Sequence, residues 1–127
     1  MFTTLNFWLW AAQIVLAAMF GFAGAVKTTQ PIAKVAEMTG GWPNDFSPAV
    51  VRLIGIVEVL GALGMILPIV TWILPWLTPL AAIGFAVIQV LAIGVHARRN
   101  ELMKVLPVNL VLLVLSLFVA WGRWDLF

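Results

Sequence analysis

Cysteine is missing from this 127-residue chain, which excludes a disulfide, a thiolate metal site and thiol redox chemistry of its own. Histidine occurs once, too few for bis-histidine haem ligation within one chain. Charge is scarce: seven Lys and Arg and five Asp and Glu make up 9% of the residues, against about 25% in a typical soluble domain. The net charge of +2 is far too small for a nucleic-acid footprint, so no nucleic-acid partner is expected, and the basic residues fall at segment ends as loop charges do. No Lys or Arg precedes the first apolar run, which counts against a cleaved signal peptide even though "AGA" at Ala23 to Ala25 has the form of a cleavage site. What is plentiful is apolar surface. Hydrophobic residues form 64% of the chain and mean hydropathy is +1.12, the composition of an integral membrane protein.

Four stretches approach the roughly 20 apolar residues of a spanning helix: Asn6 to Val26, Pro48 to Leu67, Pro79 to Val95 and Val105 to Trp121. The expected fold class is therefore an all-α membrane protein, a four-transmembrane-helix bundle forming one domain over residues 1–127. Ser47-Pro48 and Thr78-Pro79 each place a capping hydroxyl before a proline suited to the first helical position. The first loop, "QPIAKVAEMTGGWPNDFSP", carries Ile32, Val35, Ala36 and Thr39 at helical spacing with Gly40-Gly41 as a stop. It reads either as a short interfacial helix or as an irregular loop, since two turns are marginal alone.

Lys27, Lys34 and Arg52 flank the first loop, and Arg98, Arg99 and Lys104 occupy the third. An even number of crossings separates these loops, so both lie on one side, and the positive-inside rule makes that side cytoplasmic. Both termini are then predicted outside a bacterial inner membrane. Trp8, Trp10, Trp72, Trp76, Trp121 and Trp124 fall on that outer side, as an aromatic belt would.

Each predicted span carries a polar residue on a stripe of small neighbours. Glu58 has Ile54, Gly55, Gly61 and Ala62 three and four residues away, a spacing that lets another helix approach closely. The first span lines up Gln13, Ala17, Gly21 and Gly24 and ends at Lys27, the third carries Gln89 and His96 among alanines, and the fourth carries Asn109 and Ser116. Gly21, Gly24, Gly55 and Gly61 are thus expected helix-packing positions. Counting from the helix starts puts Glu58 and Gln89 together near the midplane, the favoured pair, with Glu58 buried, uncharged and facing no clearly placed cation. Arg52 is six residues from Glu58, roughly 120° round the helix and 9 Å along it, a poor salt-bridge geometry, and it is expected to snorkel to the surface.

Lys27, Arg52, His96 and Asn109 are expected to form a net-basic cytoplasmic mouth above Glu58 that would attract an anionic or carbonyl-bearing head group. Against this stand plainer readings: separate snorkelling cations, His96 bonded to helix-end carbonyls, Gln89 and Asn109 as interhelical hydrogen-bond residues, and Glu58 as a fixer of helix register.

The segments "GFAGAVK", "RLIGIVEVLGALGMILP", "PLAAIGFAVIQVLAIGVHARRNE" and "NLVLLVLSLFVAWGR" together resemble the DoxX-like family of small bacterial membrane proteins, with Arg52, Gly55, Glu58 and Gly61 ahead of Pro68 as the most telling part. The resemblance implies the four-helix fold, a plasma-membrane location and a place near thiosulfate, thiol or quinone chemistry or membrane chaperoning; a thiol relay would need cysteines that this chain lacks. Three functions follow, in order: a non-catalytic membrane subunit or assembly factor of a larger complex, a binder of a lipid-soluble molecule such as a quinone at Glu58, and a proton or ion carrier. No catalytic constellation, metal site or intrinsic cofactor is expected, with a quinone or lipid as the candidate ligand. The expected partners are the bilayer and a protein partner or second copy within it. A cleft at Glu58 would favour the binder, a sealed bundle the subunit, and a path to both surfaces the carrier.

Overall fold

The computed structural model describes residues 2–39 and 41–127. Five α-helices follow one another: α1 (Phe2–Thr29), α2 (Ile32–Thr39), α3 (Pro48–Thr71), α4 (Leu77–Arg98) and α5 (Leu102–Gly122), with 3-10 turns at Trp42–Asp45 and Trp124–Leu126. No strand occurs among the described residues. Helices α1, α3 and α4 are each long and apolar enough to cross a membrane, and α5 is apolar over Leu106–Gly122. The four long helices pack in a ring in which α1 touches α3, α3 touches α4, α4 touches α5 and α5 returns to α1.

The helix ends obey local chemistry. Ser47 caps α3 by accepting from the backbone N–H of Val50, with Pro48 at the first helical position, as the sequence predicts. Thr78 departs from expectation. Because α4 already starts at Leu77, its hydroxyl is not an N-cap; it donates to the Gly64 carbonyl at 2.7 Å. That carbonyl stands four residues before Pro68 and cannot receive the usual helical bond, since proline has no N–H. Thr78 thus supplies the missing donor, and α3 continues through Pro68 to Thr71 instead of ending near Leu67. Helix α1 likewise outruns its apolar stretch, and the hydroxyls of Thr28 and Thr29 fold back onto the carbonyls of Gly24 and Ala25 in its last turn. The first loop does form its short helix: α2 buries Val35 and Ala36 and ends where the Gly41 N–H bonds the Ala36 carbonyl. Gly41 has φ +92°, a conformation glycine adopts freely. Its expected companion in the stop, Gly40, lies outside the described residues.

Small residues set the helix spacing. A Cβ on Gly24 would stand 2.6 Å from the Gly55 carbonyl oxygen, and one on Gly55 would stand 2.7 Å from the Lys27 Cβ, so α1 and α3 meet backbone to backbone. Gly61 faces a different neighbour, the Phe85 ring on α4, which a Cβ would overlap. Gly55 and Gly61 therefore serve two interfaces rather than one face. Gly21 also faces α3, but more loosely: a Cβ there would make an ordinary 3.5 Å contact with Ala62, so an alanine fits at that point of the interface.

The core is Leu16 and Phe20 of α1, Met65 of α3, Phe85 of α4 and Val119 of α5, with Ala12, Ala82 and Ala120 between them. Phe20 and Phe85 stack face to face with ring centroids 3.8 Å apart and planes 8° from parallel. This core separates the two ends of the ring.

Candidate functional site

At the end carrying the first and third loops, the ring encloses a cavity of about 290 Å³. Its walls are Ala23 and Lys27 of α1, Ile54 and Glu58 of α3, Gln89, Ala92 and His96 of α4, and Asn109 and Leu112 of α5. Phe20 lines it as well, so the aromatic core forms its floor. Trp42 and Phe46 of the first loop complete the lining. Met19 and Leu91 also border the cavity and are exposed, which opens it sideways on the apolar flank.

Of the residues singled out in the sequence, Lys27, Glu58, Gln89, His96 and Asn109 share this cavity. Glu58 does not bond Gln89. Its Oε1 lies 2.8 Å from the Lys27 Nζ, with both side chains almost fully buried, so the expectation of a carboxyl facing no cation is overturned. The physical reason is direction. Helical side chains lean toward their own N-terminus, and α1 and α3 run antiparallel, so Lys27 and Glu58 lean toward each other past the Gly24–Gly55 contact. The pair is a close contact between an ammonium and a carboxylate inside the bundle. The Lys27 ammonium also lies 5.8 Å from the Trp42 ring centroid, within cation–π range.

Arg52 is not a member of the site. Its Nη1 donates to the carbonyls of Lys27 at 2.8 Å and Gln30 at 2.5 Å, neutralising the C-terminal end of α1 rather than snorkelling alone. His96 is also placed differently from expectation: its Nδ1 donates to Glu101 Oε1 at 2.7 Å instead of meeting helix-end carbonyls. The same oxygen accepts from Arg99 Nε at 3.0 Å, and Arg99 Nη1 bonds Asp45 in the first loop. The hydrogen bond from His96, with Arg99 beside it, holds the Glu101 carboxyl below the ordinary carboxylate range. The supposed basic mouth is thus a set of compensated charges.

Gln89 and Asn109 make no interhelical bond, contrary to expectation. Gln89 Oε1 and Asn109 Nδ2 are buried in the cavity wall with no hydrogen-bond partner, at 5% and 9% exposure of the residues. Gln13 does behave as an interhelical residue: its Nε2 donates to the Met65 carbonyl at 2.5 Å while its Oε1 accepts from Arg123 Nε. That network supports the opposite end, where a wider groove of about 680 Å³ runs between Trp72, Trp121 and Trp124.

Trp42, Phe46, Asp45 and Glu101 went unnoticed as site residues. For Trp42 and Asp45 the signal available was the turn sequence "GGWPND", whose glycines and proline fold the chain back sharply; nothing local indicates that it folds back over the cavity.

Neither the curated proteins nor the solved structures include a match to the chain. The model of the DoxX-like family, however, matches residues 11–119, most of the chain: the chain belongs to the DoxX-like family.

Proposed function

We propose that this chain binds a lipid-soluble amphiphile, such as a quinone or a lipid, in the cavity at Glu58. In this reading α5 is the fourth membrane crossing, the membrane is the bacterial cytoplasmic one, and both termini lie outside. The supporting observation is a cavity of about 290 Å³ whose wall holds buried polar side chains without partners. Unpaired buried polar groups are costly, and a bundle built only for docking on another subunit would have no use for them. Apolar pockets with a few convergent polar groups are the usual form of a small-molecule site. A proton or ion carrier fits less well, because the core around Phe20 and Phe85 stands between the cavity and the other end.

The test is retention. The parent chain, extracted in mild detergent, should carry a stoichiometric amphiphile identifiable by mass spectrometry, and Ala92→Phe, which fills the cavity, should lose it while melting at a similar temperature. Equal retention by both proteins would sink the cavity reading.

A non-catalytic subunit or assembly role has one observation in its favour. Gly84 and Gly94 of α4 have nothing within 4 Å of an added Cβ, leaving small-residue positions free on the outer surface for another helix. Co-purification that is lost on Gly84→Leu, with amphiphile content unchanged, would favour this second reading.

A further inference from the structure

We infer that the head group taken by this cavity is uncharged and carries both a hydrogen-bond donor and an acceptor. The inference rests on the cavity reading above and specifies its ligand class. It runs against the sequence-based expectation of an anionic head, which assumed that the basic residues near the mouth keep their charge for a ligand.

They do not. Lys27 has Glu58 at 2.8 Å, and this pair sums to zero however the proton is shared between them. Arg52 is turned onto the carbonyls of Lys27 and Gln30. Arg99 is held by Asp45 and Glu101, and Glu101 also takes His96. An anionic head would therefore meet the Glu58 carboxyl in the wall, where the two basic residues lining the cavity, Lys27 and His96, are already engaged by Glu58 and Glu101 and cannot offset its desolvation, and a cationic head would meet Lys27 in the same way.

The groups that lack partners are the two amides. Gln89 Oε1 and Asn109 Nδ2 line the cavity unbonded and are themselves buried atoms, in residues at least nine-tenths buried. As placed, one is an acceptor and the other a donor, and the pairing is the same with both amides turned over together. A head that donates to one and accepts from the other satisfies both. An ester, a ketone or an oxidised quinone accepts only, leaving Gln89 Oε1 unpaired, which narrows the amphiphiles considered above to hydroxyl- or amide-bearing heads, a quinol among them. The volume of about 290 Å³ equals roughly ten waters of liquid, enough for a compact head and the first carbons of a tail. Met19 and Leu91, exposed at the border, mark where the rest of the tail leaves for the bilayer.

The experiment uses the full chain in phosphatidylcholine nanodiscs and four radiolabelled probes of similar tail length: dodecanamide, 2-tetradecanone, dodecanesulfonate and dodecyltrimethylammonium. Binding is the label retained above protein-free discs. Dodecanamide should exceed each of the other three by about tenfold, the worth of roughly one hydrogen bond. Gln89→Met and Asn109→Leu should each lower amide binding to the ketone level. Because each removes an unpaired polar group, the melting midpoint should not fall, which separates loss of binding from loss of fold. A charged probe binding best would overturn the neutral-head assignment, and equal binding of amide and ketone would overturn the donor–acceptor requirement; either result leaves the cavity as a binding site. No excess binding of any probe would overturn the cavity reading itself.

Discussion

Replacing Gly24 by alanine tests whether backbone contact between α1 and α3 holds the site together. The new Cβ would lie 2.6 Å from the Gly55 carbonyl oxygen, 2.8 Å from Val59 Cγ2 and 2.9 Å from the Val59 nitrogen. Ordinary contact begins near 3.4 Å, so the helices must separate by up to about 0.8 Å. Two of the three neighbours are backbone atoms and cannot swing aside as a side chain would. Overpacking of this kind costs about 1–3 kcal/mol. Alanine also recovers about 1 kcal/mol of helix propensity, and that term is cancelled by comparing with Gly21→Ala, whose Cβ meets Ala62 at a comfortable 3.5 Å. In a chain of this size 1 kcal/mol moves the melting midpoint by roughly 3–5 °C, so Gly24→Ala should melt several degrees below Gly21→Ala in the same detergent. The Lys27–Glu58 approach of 2.8 Å crosses the same interface, and the separation should weaken amphiphile retention as well. Midpoints for the two variants within about 1 °C of each other would refute the backbone contact.

Four further outcomes are expected. Lys27→Met and Glu58→Leu, each stranding one member of a buried ion pair, should cost about 3–5 kcal/mol, while the double variant should recover most of that loss; a double variant no more stable than either single one would dissolve the pair. Glu58→Gln, harmless if the carboxyl faced no cation, should now also destabilise by leaving Lys27 uncompensated. Thr78→Val removes the donor to the Gly64 carbonyl and should cost about 1–3 kcal/mol, with Thr78→Ser close to the parent in the same thermal melt. Glu101, held below the ordinary carboxylate range by His96 and Arg99, contributes stability that is present above its unfolded pKa and lost as pH falls through the lower folded value. The melting midpoint of the parent should therefore drop on acidification below about pH 4.5 more steeply than that of Glu101→Gln, and parallel curves would count against the His96–Glu101–Arg99 cluster.

The sequence disclosed what depends on one segment at a time. Apolar run length located the long helices, Ser47-Pro48 marked a helix start, and small-residue spacing around Glu58 identified a packing face, because each is a property of neighbours along the chain. Depth counting sets Glu58 and Gln89 near the midplane and Lys27, His96 and Asn109 in a mouth above them, and the folded ring joins these two groups in one cavity. The choice of partners was not legible. Along the chain Lys27 reads as a helix-end cation within reach of water, yet Gly24 and Gly55 each stand three residues before a charged residue, and antiparallel packing at those glycines aims the two side chains at each other. The bond from Arg99 to Asp45 spans 54 residues, and the placement of Trp42 over the cavity depends on how a loop returns across a finished bundle. Such contacts are set by the folded ring and leave no periodicity to read.

The Phe20–Phe85 stack has a consequence for traffic. With aromatic rings closing the floor and Met19 and Leu91 at the rim, the cavity communicates sideways with a single leaflet, the one on the side of the first and third loops. An amphiphile bound as proposed would come and go without its head ever crossing the middle of the bilayer, and its supply would be governed by the composition of that leaflet alone. A molecule added to the other leaflet would first have to flip on its own, so the delay before it is bound would be a clock for spontaneous flip-flop rather than a property of this protein.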